Sequence, residues 1–210
     1  MKKHCRILML VVCAAVSAGS VAAENMMALP AAAQMQQTQL SQNELAGLLL
    51  MREEEKLAHD VYKALYRQWQ QPIFANISRS EAQHMAAMGR LLQRYGVADP
   101  QQAGAGQFSD AALQKLYHEM VERGSLSRTD ALKVGAMIEE LDISDLNRLS
   151  AQTRQADILN VYAQLNRGSR NHLRSFERQL QQAGAVFQPQ HLSAAQYREI
   201  VNAPMERGRH

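Results

Sequence analysis

From Ser41 onward the apolar residues return every third or fourth position, the spacing that lines one side of an α-helix. A first stripe runs Leu48, Met51, Glu55, Ala58, Tyr62, Leu65, Trp69. Ser41-x-x-Glu44 opens it as a capping box, and Pro72 closes it. A second stripe follows at once: Ile77, Glu81, His84, Met88, Leu91, Tyr95, stopped by Gly96. Residues 96–109 are rich in Gly, Pro and Ala and read as a loop, and residues 110–122 form a shorter amphipathic segment with Leu113, Leu116, Tyr117 and Met120 on one side. Capping residues over 125–130 open a third long stripe, Leu132, Gly135, Glu139, Asp142, Leu146, Leu149. The fourth spans 153–183 with Ile158, Tyr162, Leu165, Ser169, His172, Phe176 and Leu180. A short amphipathic piece over 193–201 comes last.

Strand-like alternation is missing from this pattern, so the chain is expected to be all-α. Two helical hairpins with tight turns, joined by about thirty residues, predict a four-helix bundle with one long crossover containing an extra short helix, the ferritin-like variant; an up-and-down bundle uses short loops throughout. The domain is expected over residues 41–201, with 202–210 as a tail.

Each long stripe is interrupted near its middle by polar residues. Glu55, Glu81 with His84, Glu139 with Asp142, and Ser169 with His172 would therefore meet at one level of the bundle. Residues three apart project from one helical face about 5 to 6 Å apart, which lets Glu81 and His84 address a common point. A single Glu-x-x-His also suits a buried hydrogen-bonded pair that needs no metal. Its coincidence with acids on the other stripes is what changes the reading, because an uncompensated buried ion costs several kcal/mol. Two divalent cations about 3.5 to 4 Å apart would balance the four acids, and a carboxylate and imidazole donor set suits iron, manganese or zinc. Glu55, Glu81, His84, Glu139, Asp142 and His172 are the expected metal ligands.

Bland alternatives exist for several of these residues. Glu55 could pair with Arg52 or His59, each about a turn away, and Asp142 could remain solvated. Ser169 reads as a small spacer. Glu53, Glu54 and Glu140 read as solvated or rim acids, the ordinary fate of helix charges. Tyr62 and Tyr162 read as core residues with satisfied hydroxyls, Arg170 and Arg174 as neutralising the bundle edge, and His118, His191 and His210 as surface.

The beginning of the chain reads differently. Lys2, Lys3 and Arg6 precede an apolar run and then Ser20-Val21-Ala22-Ala23, the layout of a secretory signal over 1–23 cleaved near Ala22 or Ala23. Its removal would leave 187 of 210 residues, one domain's worth, with 20 basic against 20 acidic residues, since all three surplus charges lie in the leader. A balanced chain gives no reason to expect a nucleic-acid or anionic-membrane partner. Both cysteines, Cys5 and Cys13, would leave with the leader, so thiolate ligation and disulfides are not expected of the exported, periplasmic or secreted protein. Residues 24–40 read as a flexible linker, and Met26, Met27 and Met35 as part of it rather than as a copper(I) site.

The segments REEEKLAHDVY, SEAQH, VGAMIEELDISDL and GSRNHLRSF resemble the signatures of a bacterial and archaeal family of unassigned function in the ferritin-like, rubrerythrin-related superfamily, over residues 42–200. Glu55 followed by Tyr62 is similar to that superfamily's first-helix ligand pattern, Glu81-x-x-His84 to its second-helix pair, and Glu139 to its third-helix ligand. The resemblance implies one or two iron ions, with oxidation of iron or reduction of peroxide or oxygen as the chemistry. The fourth helix departs from it, because Ser169 stands where the pattern has Glu; Asp142 is the candidate to restore that charge. No Cys-x-x-Cys pair is present, so a redox activity would draw on an external electron donor. The alternative is a non-catalytic binding or stress bundle with a structural single metal or a metal-free polar core.

Overall fold

A computed structural model describes residues 39–208. The leader, most of the linker with its methionines, and His210 lie outside the described residues. Among the described residues there are six helices and no strand: α1 (Gln42–Trp69), α2 (Pro72–Arg94), α3 (Ala111–Gly124), α4 (Arg128–Ser150), α5 (Ala156–Gln182) and α6 (Ala194–Asn202). No described helix is long and apolar enough to cross a membrane.

The boundaries follow from local chemistry. Ser41 and Glu44 form the expected reciprocal capping box. Gln70 turns the chain in the left-handed region at φ 53°, and Pro72 starts α2 at a position where its missing N–H is no loss. Ser127 caps α4 by accepting from the Asp130 amide at 3.0 Å, and Asp110 caps α3 by accepting from Ala112 and Leu113. A second capping box, Ser193 with Gln196, starts α6.

The apolar residues fall into two clusters. One contains Leu57, Tyr62, Leu65, Phe74, Ile77, Leu132, Phe176 and Leu180. The other contains Leu48, Met51, Met88, Leu91, Leu146, Leu149, Ile158 and Leu165. α1 and α5 pass from the second cluster to the first, whereas α2 and α4 pass from the first to the second. α1 therefore runs antiparallel to α2 and α4, and α5 antiparallel to α4 and α2, which are the pairs of long helices that pack together. Because α2 and α4 point the same way, the chain between them must return along the full length of the assembly. Residues 95–127, with α3 inside, make that return.

Several acids and bases expected at the solvent edge are buried instead. Glu53, Glu54 and Glu140 are 5%, 3% and 0% exposed, which overturns their reading as solvated or rim acids. Glu53 accepts from the Ser109 and Asp110 amides where the crossover enters α3. Glu140 accepts from the amides of Gln190, His191 and Leu192 and ties the segment after α5 to α4. Arg52 pairs with Asp99, and Lys56 with Asp60 and the Gly104 carbonyl. The charged run from Arg52 to Lys56 thus faces in several directions at once: Glu55 inward, and Arg52, Glu53 and Lys56 into the crossover laid over α1.

Candidate metal centre

Between the two apolar clusters lies a polar layer. Glu55 on α1, Glu81 on α2 and Glu139 on α4 are all essentially inaccessible to solvent. His84 and His172 are mostly buried, with 14% and 12% of their side chains exposed. Their rings stack with centroids 5.8 Å apart. Among the described residues, two groups of three side chains could each hold a metal ion: Glu55, Glu81 and His84, and Glu81, Glu139 and His172, with the donor atoms of each trio within 4.8 Å of one another. Glu81 belongs to both. Its Oε2 lies 2.7 Å from His84 Nδ1, and its Oε1 lies 2.8 Å from His172 Nδ1. His84 Nδ1 is also 3.2 Å from Glu55 Oε2, and His172 Nδ1 is 3.3 Å from Glu139 Oε2.

Both oxygens of Glu81, Glu55 Oε1, Glu139 Oε2 and His172 Nδ1 are fully buried and make no hydrogen bond. His172 Nδ1 lies 2.8 Å from Glu81 Oε1 and 3.3 Å from Glu139 Oε2, close enough for ion pairing. Buried polar atoms are nearly always satisfied within the protein or by water, so a cluster of orphans converging on shared points suits a positive ion better than a hydrogen-bonded network. The donor set of carboxylate oxygens and imidazole nitrogens fits iron, manganese or zinc.

The electrostatics follow from burial and proximity. Burial pushes Glu55 up to about 7, against the pull of His84. Burial alone would depress both imidazoles. For His84, Glu55 and then Glu81 reverse this and hold it well above the usual histidine range; for His172, Glu81 and Glu139 hold it up at about 10. Burial also works against ionisation of Glu81, but His172 and then His84 pull it well below the ordinary carboxylate range. Without a metal, imidazolium protons are thus the positive charge that this layer holds.

Asp142 joins neither trio. It is 1% exposed, which rules out the solvated alternative, and its Oδ2 has no partner. Burial, and then the charges of Glu55, Glu54, Glu139 and Glu81, raise its pKa well above the usual range. It is a neighbouring acid that flanks the trios. Ser169 donates to its own helix at the Leu165 carbonyl, in keeping with a spacer. Arg52 and His59, the alternative partners for Glu55, bind Asp99 and Asp60 instead.

Three contacts around the layer escaped the reading of the stripes. The Tyr62 hydroxyl, expected as a core group, donates to Glu139 Oε1 at 2.6 Å. Ser80 Oγ lies 3.1 Å from His172 Nε2. Gly168 backs onto His84, where a Cβ would stand 2.5 Å from Cε1 and 2.7 Å from Nε2. Arg170, Asn171 and Arg174 hold Glu206 beyond α6: both guanidinium groups reach its carboxylate, and Asn171 bonds its backbone N–H and carbonyl.

Fold and site together define an all-helical protein with two carboxylate and imidazole trios buried at mid-height, joined through one glutamate. Residues 44–204 match the family described as "Uncharacterized protein domain (DUF2202)", and the chain belongs to that family. It is similar to "Uncharacterized protein MJ0754" of Methanocaldococcus jannaschii, 47% identical over 170 residues that cover 80% of this chain and 92% of the relative. Among solved structures it resembles the crystal structure of hypothetical protein MJ0754 from Methanococcus jannaschii, with 46% identity and a TM-score of 0.78 over 80% of this chain and 96% of that one.

Proposed function

We propose that this protein is a ferritin-like, rubrerythrin-related metal protein that holds one or two first-row cations, iron foremost with manganese or zinc as alternatives, between its four long helices. The antiparallel pairing with parallel α2 and α4, and the return through α3, support the ferritin-like arrangement. The observation that carries the metal reading is the set of buried, unbonded donor atoms: Glu81 Oε1 and Oε2, Glu55 Oε1, Glu139 Oε2 and His172 Nδ1. In this reading Glu55, Glu81 and His84 would hold one cation, and Glu81, Glu139 and His172 the other. Asp142 stands beside them as a further buried acid.

A bound redox-active cation would supply one-electron chemistry toward iron, peroxide or oxygen, with an external donor where net reduction is needed. The protein's own part is to exclude water through the apolar clusters on either side, to fix Glu139 through Tyr62, and to release the imidazole protons as cations enter. The leader layout at residues 1–23 supports a periplasmic or secreted location.

Elemental analysis of the purified protein beside Glu81→Ala and His172→Ala variants tests the proposal. Metal in the wild type and its loss from the variants is expected; equal, negligible metal in all three would sink it. An iron-oxidation and peroxide-consumption assay on the loaded protein then separates an oxidoreductase from a metal-bound structural bundle. The second reading, a metal-free polar core, has its own support in the hydrogen bond between His84 Nδ1 and Glu55 Oε2.

A further inference from the structure

The two trios share Glu81, and each adds one glutamate and one histidine, but their surroundings are unequal. In the trio of Glu81, Glu139 and His172, both outer ligands are held from behind. Tyr62 binds Glu139 Oε1 at 2.6 Å and leaves Oε2 facing the trio. Ser80 Oγ stands 3.1 Å from His172 Nε2; accepting the Nε2 proton there leaves Nδ1 as the atom that gives its lone pair to a cation once the Nδ1 proton is released. In the trio of Glu55, Glu81 and His84, the far side of the imidazole meets the bare backbone of Gly168, and its Nδ1 is engaged with Glu55 Oε2 at 3.2 Å. That hydrogen bond must be given up before either atom can serve a cation.

We propose that the two positions are intrinsically unequal: the trio of Glu81, Glu139 and His172 is the high-affinity position, with Ser80 as the residue that positions His172, and the trio of Glu55, Glu81 and His84 is the weaker one. This rests on the metal-binding reading above and specifies the order in which the site fills. Groups that orient ligands from behind are worth ~10- to 100-fold in metal affinity, and a ligand held in its productive rotamer needs no rearrangement on binding.

Two cations sharing one carboxylate repel, so two binding steps in the intact protein would not by themselves separate unequal from equal positions. Single-position variants do. Metal-free full-length Glu55→Gln, which keeps the His172 trio, and Glu139→Gln, which keeps the His84 trio, are each titrated with Co(II) and followed by visible absorption. Glu55→Gln should bind at least ~10-fold more tightly than Glu139→Gln. Adding Ser80→Ala to Glu55→Gln should weaken binding by ~10- to 100-fold, adding it to Glu139→Gln should change nothing, and Ser80→Thr should restore the loss. Equal affinities, the reverse order, or an effect of Ser80→Ala in both backgrounds alike would overturn the inequality. Failure of the wild-type protein to bind Co(II), Fe(II), Mn(II) or Zn(II) at all would instead reject the metal-binding reading itself. Thermal melting followed by circular dichroism identifies any variant whose loss of binding is a loss of fold.

Discussion

The hydroxyl of Tyr62 on α1 donates to Glu139 on α4 across a distance of 2.6 Å, with both side chains wholly buried. A tyrosine facing the core is therefore also the group that decides which oxygen of Glu139 is free. Tyr62→Phe keeps the ring and its packing with Phe74 and Phe176 but leaves Glu139 Oε1 without a donor. The expected cost is about 1–3 kcal/mol in urea denaturation of the metal-free chain, together with weaker Co(II) binding. Unchanged values in both would show that the hydroxyl has no hold on Glu139.

Gly168→Ala should act on His84 from behind. The added methyl carbon would sit 2.5 Å from the imidazole, closer than packed atoms tolerate, so the ring must shift or α5 must move away. Overpacking of this kind costs about 1–3 kcal/mol. The imidazole NMR signals of His84 should move more than those of His172, which would feel the displacement only through its stacking on that ring. A shift confined to His172 would contradict this account of the contact.

Stability of the metal-free chain should fall as the solution becomes alkaline. His172 is held up at about 10 by Glu81 and Glu139 against the opposing effect of burial. Its contribution is complete below the unfolded histidine value near 6.5 and is lost as pH rises through about 10. Glu55, raised to about 7 by burial, works in the same direction, since the folded chain keeps a proton that the unfolded chain sheds near pH 4.3. Glu81, pulled well below its ordinary range, opposes them only in acid, where stability is lost as pH falls. Urea midpoints should therefore decrease from pH 5 to 7 to 9. Cation binding should show the opposite trend, tightening as pH rises and releasing protons at pH 7 that a weakly buffered indicator records.

Glu140→Ala should loosen the segment after α5. Three amide donors, from Gln190, His191 and Leu192, lose their carboxylate at once. A loss of about 2–4 kcal/mol is expected for charge-assisted bonds to a buried acceptor, with faster proteolysis near residues 188–193. Metal content should change little, because Glu140 points away from both trios. Metal loss with stability intact would mean that Glu140 acts on the centre rather than on the loop.

Much of this was legible in spacing. The steps of three and four placed Glu55, Glu81, His84, Glu139 and His172 on inward faces, and the sequence pattern gave an all-helical chain with the helices in the order found. What spacing could not reveal was what covers the other faces. Glu53, Glu54 and Glu140 lie off the inward stripe, so periodicity assigned them to water. The crossover covers Glu53, the segment after α5 covers Glu140, and α1 with α4 enclose Glu54, where burial and then Asp145 raise its pKa well above the usual range. Ser80 and Gly168 are likewise neighbours in sequence of stripe residues rather than members of a stripe. Their roles come from the close approach of α2 and α5, which a single-helix pattern does not encode. Asp142 was placed on the right face, but sitting on that face did not bring it into either trio.

Arg170, Asn171 and Arg174 bracket His172 on α5, and all three grip Glu206. The helical turn that presents an imidazole to the interior is thus anchored on its outer side by a residue that follows the last described helix. A handle or fusion inserted beside Glu206 would crowd that anchor, and a truncation before it would remove it. Preparations that differ only around Glu206 are therefore expected to differ in how firmly they hold His172, and the position of a tag becomes an experimental variable.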